Sequence, residues 1–137
     1  MDIPMKPARS HDTLKILIVD DSDFNRRSMV DILTHEGFNV IGQASSAEDA
    51  IQLAHSGKPN LIFVDIVMPE ISGLELTKHL QEKGSGEKYI IMMSSLNIDS
   101  IVIESISNGA TDFLQKPFSP EDLIKAVEKV ERLVERN

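Results

Sequence analysis

Leu61-Ile62-Phe63-Val64 is a run of four apolar residues that stops on a carboxylate, Asp65, and passes at once into Ile66-Val67-Met68-Pro69-Glu70-Ile71-Ser72-Gly73. A run this short, with no polar position in it, suits a strand covered on both faces, as in a parallel sheet. The plan recurs along the chain. Residues 14–19 form a β-branched run that ends on Asp20-Asp21-Ser22-Asp23, and residues 89–93 form another that ends on Ser94-Ser95. Residues 38–44 and the shorter, less apolar 111–115 complete a set of five strands.

Helical patterns separate the strands. Residues 24–36 carry apolar positions at Met29, Val30, Ile32 and Leu33, with Ser22 or Asp23 to cap the start and Gly37 to stop it. Ser45 or Ser46, with Glu48 or Asp49 three residues on, opens a second helix with an inner stripe of Ala47, Ala50, Ile51 and Ala54, ended by Gly57-Lys58-Pro59. Ser72-Gly73-Leu74-Glu75 opens a third, to about residue 83, and Gly84-Ser85-Gly86 reads as a loop. A fourth covers 98–108, with Gly109 at its end, and Ser119-Pro120-Glu121-Asp122 opens the last, whose apolar face is Leu123, Ile124, Val127, Val130 and Val134. Five strand-helix units in alternation predict an α/β domain. It is a (βα)5 flavodoxin-like, doubly wound parallel sheet with strand order 2-1-3-4-5 in a three-layer sandwich. Residues 1–13, with two prolines, read as a tail, and 14–137 as the domain.

Composition narrows the chemistry. With no cysteine, disulfide scaffolds and thiolate metal or redox sites are excluded. A net charge of −8 with no basic stripe argues against nucleic-acid binding. The absence of a long apolar run or a signal-peptide core leads to the expectation of a cytoplasmic protein with no membrane span.

In a parallel sheet all carboxyl ends lie on one edge, where open α/β sheets place their ligands. That edge collects Asp20 and Asp21 after the first strand, Asp65 after the third, Ser94 and Ser95 after the fourth and Lys116 after the fifth. Crowded carboxylates repel unless a cation intervenes, and Mg²⁺ takes hard oxygen ligands of this kind. With a lysine and a hydroxyl beside it, such a site suits a phosphoryl group. Taken singly, Asp20-Asp21 and Ser94-Ser95 could be helix caps, and Phe113 could be plain core.

Together, Asp20-Asp21, Asp65 with Met68-Pro69 and Gly73, Ser94, and Lys116-Pro117-Phe118 resemble the receiver domain of bacterial two-component response regulators, over about residues 14–136. The resemblance implies that Asp65 is the phospho-acceptor. Asp21, Asp65 and the Val67 backbone carbonyl ligate Mg²⁺, and Asp20 acts mostly through water. It gives Ser94 and Lys116 to the phosphoryl oxygens, makes the Lys116-Pro117 bond cis, and puts Phe113 at the switch aromatic. The implied partners are a sensor histidine kinase or phosphotransfer protein and a downstream target at the face made by the fourth helix, fifth strand and fifth helix. The protein is implied to be a monomer or a phosphorylation-dependent dimer. The length fits a stand-alone receiver that is a signalling switch rather than an enzyme, whether a chemotaxis-type regulator, a phosphorelay intermediate or a receiver excised from a larger protein.

Two other readings compete. A Mg²⁺-dependent phosphohydrolase could use Asp65 as a turnover nucleophile, but such enzymes commonly carry an acid two residues later, where this chain has Val67. A degenerate receiver could bind partners without phosphorylation, against which the intact acidic set counts. Val67 and Leu96, flanking the site in the family, are apolar and cannot orient an attacking water, so slow dephosphorylation is expected.

Overall fold

The computed structural model describes residues 11–83, 87–96 and 98–136. Its element order is β1 (His11–Val19), α1 (Asp23–His35), β2 (Phe38–Ala44), α2 (Ala47–Gly57), β3 (Leu61–Asp65), α3 (Gly73–Lys83), β4 (Tyr89–Ser94), α4 (Asp99–Ser107), β5 (Asp112–Gln115) and α5 (Pro120–Glu135). The five strands pair in parallel in the order β2-β1-β3-β4-β5, the expected flavodoxin-like arrangement.

The two-residue side-chain period of the strands builds the layers. Leu17, Val19, Ile62, Val64, Ile90 and Met92 face one way and pack with Ala47, Ala50 and Ala54 of α2 and with Leu74, Leu76 and Leu80 of α3. Ile16, Ile18, Leu61, Phe63, Ile91 and Met93 face the other way and meet Met29 and Leu33 of α1 and Leu123, Val127 and Val130 of α5. Every residue of β3 is buried, which is why its sequence shows no polar alternation.

Local signals set most element ends. Ser46 and Ser72 accept hydrogen bonds from the backbone N–H groups of Asp49 and Glu75. Ser119 and Asp122 form a reciprocal capping box with Pro120 in the first turn. Lys58 takes the left-handed conformation, φ 49°, that closes α2.

β1 begins at His11, so residues 11–13 belong to the sheet and not to the tail expected over 1–13. The contacts that hold it there are long-range: His11 is level with Phe38 of β2, and the Asn60 side chain donates to the Thr13 carbonyl at 2.8 Å and accepts from the Lys15 N–H at 2.7 Å. Residues 1–10 of that tail and the Gly84-Ser85-Gly86 loop lie outside the described residues. Within them, no helix is long and apolar enough to cross a membrane.

Candidate functional site

Strand register assembles the site. Val19 is level with Val64, Asp65 with Met93, and Ser94 with Gln115. The next residue along β1 is therefore Asp20, beside Asp65, and the next along β5 is Lys116, whose N–H donates to the Ser94 carbonyl at 2.9 Å. The Lys116-Pro117 peptide is cis, as the family resemblance implies.

One carboxylate oxygen from each of Asp20, Asp21 and Asp65 lies within 4.8 Å of the others. Asp20 is fully buried, Asp65 is 6% exposed, and Asp21 is open to solvent. The Lys116 ammonium stands between the two buried acids, 2.8 Å from Asp20 Oδ2 and 3.4 Å from Asp65 Oδ2. The remaining oxygens meet backbone donors: Ser22 N–H reaches Asp20 Oδ1 at 2.9 Å, and Val67 N–H reaches Asp65 Oδ1 at 3.3 Å. Burial pushes the Asp65 carboxyl up to about 6. Lys116 opposes that rise and the neighbouring Asp20 charge adds to it.

Three carboxylates against one ammonium leave an excess of negative charge, and every side-chain donor of the cluster is a hard oxygen. That set fits Mg²⁺, and the exposed Asp21 leaves an approach from solvent.

The other predicted residues are placed less directly. Ser94 is buried, and its hydroxyl accepts from Leu96 N–H at 2.9 Å. α4 starts five residues later with Ile98 as its N-cap residue, so Ser94 and Ser95 do not cap that helix. Phe113 is half-buried and packs against the core layer beneath α2 and α3. Val67 is 59% exposed and Leu96 40% exposed.

Two residues at the site escape sequence reasoning in whole or in part. Gly73 reads as part of a loop-to-helix signal, yet its position is also sterically closed. A Cβ there lies 2.1 Å from the Asp65 carbonyl oxygen. Arg26 is buried on α1, and its guanidinium reaches the Asp20 carbonyl at 2.7 Å. The available signal is spacing: Arg26 falls on the same helical stripe as Met29 and Leu33.

Comparison with known proteins agrees with this geometry. Residues 16–128 match the response regulator receiver domain family. The chemotaxis protein CheY of Thermotoga maritima is 36% identical over 118 residues, which is 86% of this chain and 98% of that one. Among solved structures, a CheY-like receiver domain protein from Methanospirillum hungatei superposes with a TM-score of 0.82 at 28% identity, covering 90% of this chain and 98% of that one. A CheX-CheY-BeF3-Mg²⁺ complex from Borrelia burgdorferi gives a TM-score of 0.79 at 30% identity, covering 85% of this chain and 88% of that chain. With the doubly wound sheet and an acidic pocket at its carboxyl edge, the chain belongs to the response regulator receiver domain family, in its CheY-like form.

Proposed function

We propose that this receiver takes a phosphoryl group onto Asp65 from a phosphohistidine of a sensor kinase or phosphotransfer protein. The observation that carries the reading is the buried Asp20–Lys116–Asp65 bridge with Asp21 beside it. Asp65, with its midpoint near 6, is ionised at neutral pH and is available as a nucleophile. One of its oxygens bonds to phosphorus as the P–N bond of the phosphohistidine breaks, and the electron pair returns to the imidazole. Lys116 is then placed to neutralise the phosphoryl oxygens, and the Ser94 hydroxyl to donate to one of them. Asp21, Asp65, the Val67 carbonyl and, through water, Asp20 would hold Mg²⁺, which would supply further charge neutralisation. The presence of Mg²⁺ in the Borrelia burgdorferi neighbour supports this part of the reading. Water ends the cycle by attacking phosphorus, breaking the bond to Asp65 and releasing phosphate.

The signal leaves, in this reading, through a face formed by α4, β5 and α5. Recruitment of Ser94 to the phosphoryl group vacates space that Phe113 fills, and a downstream protein reads the change. The exposed Ile103 and Ile106 on α4 support a protein contact there.

Incubation with Mg²⁺ and a small phosphodonor tests the central step. About one acid-stable, hydroxylamine-labile phosphate per chain is expected, and none in Asp65→Asn. Continuing turnover of many phosphate esters would identify a hydrolase instead, and no incorporation would identify a phosphorylation-independent binding module.

The phosphoryl lifetime is a separate prediction. Val67 and Leu96 are both open to solvent and neither can polarise water. Val67→Asn combined with Leu96→Glu should speed dephosphorylation at least about tenfold, since positioned polar groups contribute on that scale or above. A decay of phosphorylated protein no faster than wild type would refute it.

A further inference from the structure

Arg26 performs a task that the acidic cluster itself does not explain. It is 9% exposed, on the first turns of α1. A guanidinium buried to this degree is costly unless its donors are satisfied. Three segments satisfy it. Nη1 donates to the Asp20 backbone carbonyl at 2.7 Å, Nε donates to Gln43 Oε1 at 3.1 Å, and Nη2 pairs with Asp23. These partners come from the end of β1, the end of β2 and the start of α1.

Asp20 is thereby held at every polar group. Its N–H donates to the Ala44 carbonyl at 3.0 Å, its two side-chain oxygens accept from Ser22 and Lys116, and its carbonyl accepts from Arg26. The Asp20 carbonyl shares a planar peptide with the nitrogen of Asp21. Clamping that plane fixes the direction in which Asp21 leaves the strand. Asp21 needs such help, because it is exposed and stands beside two like charges that push it toward water.

We propose that Arg26 is the positioning residue that aims Asp21, and with it the acid pair, at the cation. The inference rests on the receiver reading above. A planar fork with several donors can serve three partners in fixed directions, which a lysine ammonium cannot do from the same stem.

The test compares Mg²⁺ affinity by calorimetry with thermal stability of the metal-free protein, in wild type, Arg26→Met, Arg26→Lys and Gln43→Ala. Methionine keeps much of the apolar stem and removes the fork. Arg26→Met should raise the Mg²⁺ Kd about tenfold, the lower end of what partners supporting metal ligands contribute. Arg26→Lys should stay severalfold weaker than wild type. A folded Arg26→Met protein with wild-type Mg²⁺ affinity overturns the proposal, and so does full recovery with lysine, which would assign the effect to charge and not to position. If Arg26→Met fails to fold, Gln43→Ala decides, because Gln43 is exposed at the sheet edge. A Kd raised by less than the about tenfold expected for Arg26→Met, with an unchanged Tm, supports the clamp, and an unchanged Kd refutes it. Wild-type protein that binds no Mg²⁺ and takes no phosphate would instead remove the receiver reading itself, a result distinct from any difference between variants.

Discussion

Alanine at position 73 should destabilise the protein by about 3 kcal/mol, the upper part of the range for forcing extra volume into packed structure. It should also weaken Mg²⁺ binding. The added Cβ would lie 2.1 Å from the Asp65 carbonyl oxygen and 2.8 Å from both the Asp65 carbonyl carbon and the Ile66 Cα. These are backbone atoms, which cannot rotate aside as a side-chain tip can. Both segments are also pinned. Gly73 N–H donates to the Ile66 carbonyl at 2.8 Å, and Ile66 N–H donates to Met93 in β4 at 2.9 Å. Relief therefore requires α3 to back away from the sheet or the Asp65 peptide to turn, and the second of these moves the acceptor carboxylate. Denaturant unfolding and Mg²⁺ titration of Gly73→Ala check both effects. A loss below about 1 kcal/mol with normal Mg²⁺ affinity would show that the loop absorbs the methyl group, contrary to this account.

The contrast between Gly73 and Arg26 shows which parts of the molecule were legible in the sequence. Strand identity is local: Leu61 to Val64 are apolar on both faces because both faces are covered, and four consecutive residues reveal it. Helix starts are local too, since Ser46, Ser72 and Ser119 bond to N–H groups three residues away. Parallel topology then turns local strand ends into a shared edge, so the strand pattern alone groups Asp20, Asp65 and Lys116. What escaped depends on residues far apart in the chain. The start of β1 depends on Phe38 and Asn60, and the burial of Arg26 depends on Gln43. An arginine on an amphipathic helix ordinarily reads as solvated, and nothing within a few residues of it announces a partner on another strand. Gly73 was visible as a glycine, but the reason for it is an approach to Asp65 that only the folded loop creates. α4 is a different case. Its apolar residues Ile101, Val102, Ile103 and Ile106 spread over about half of the helix circumference with serines among them, and the structure leaves Ile103 65% and Ile106 49% exposed, so pattern alone cannot say which face is inner.

Asp65→Asn should make the metal-free protein more stable while removing phosphorylation, with a gain of about 1–2 kcal/mol at pH 7.5. Burial raises the Asp65 carboxyl from 3.8 to about 6 in the folded protein, against the help of Lys116. Below about pH 4 folded and unfolded states both carry the proton and the residue is neutral in stability. Between about pH 4 and 6 the folded state holds a proton that the unfolded state has released, so raising the pH drains stability. Above about 6 the full cost stands, roughly 3 kcal/mol at most for a displacement of this size. Asparagine escapes that cost, and the solvent-exposed Asp21 beside it admits water and ions that screen part of the buried charge, so the expected gain is smaller than the full figure. The advantage of the variant should therefore be absent near pH 4, grow to about pH 6 and remain level beyond it, as read by denaturant midpoints in the presence of a chelator. Mg²⁺ should narrow the gap, because a cation held by the wild-type acids at about 100 times its Kd adds about 2.7 kcal/mol to the folded state. An Asp65→Asn protein less stable than wild type at pH 7.5 without metal, or a difference that ignores pH, would contradict the assignment of that buried charge as a stored cost. If the gain is found, the acceptor carboxylate destabilises its own fold, and the energy released when it is neutralised is available to favour the bound state of the site.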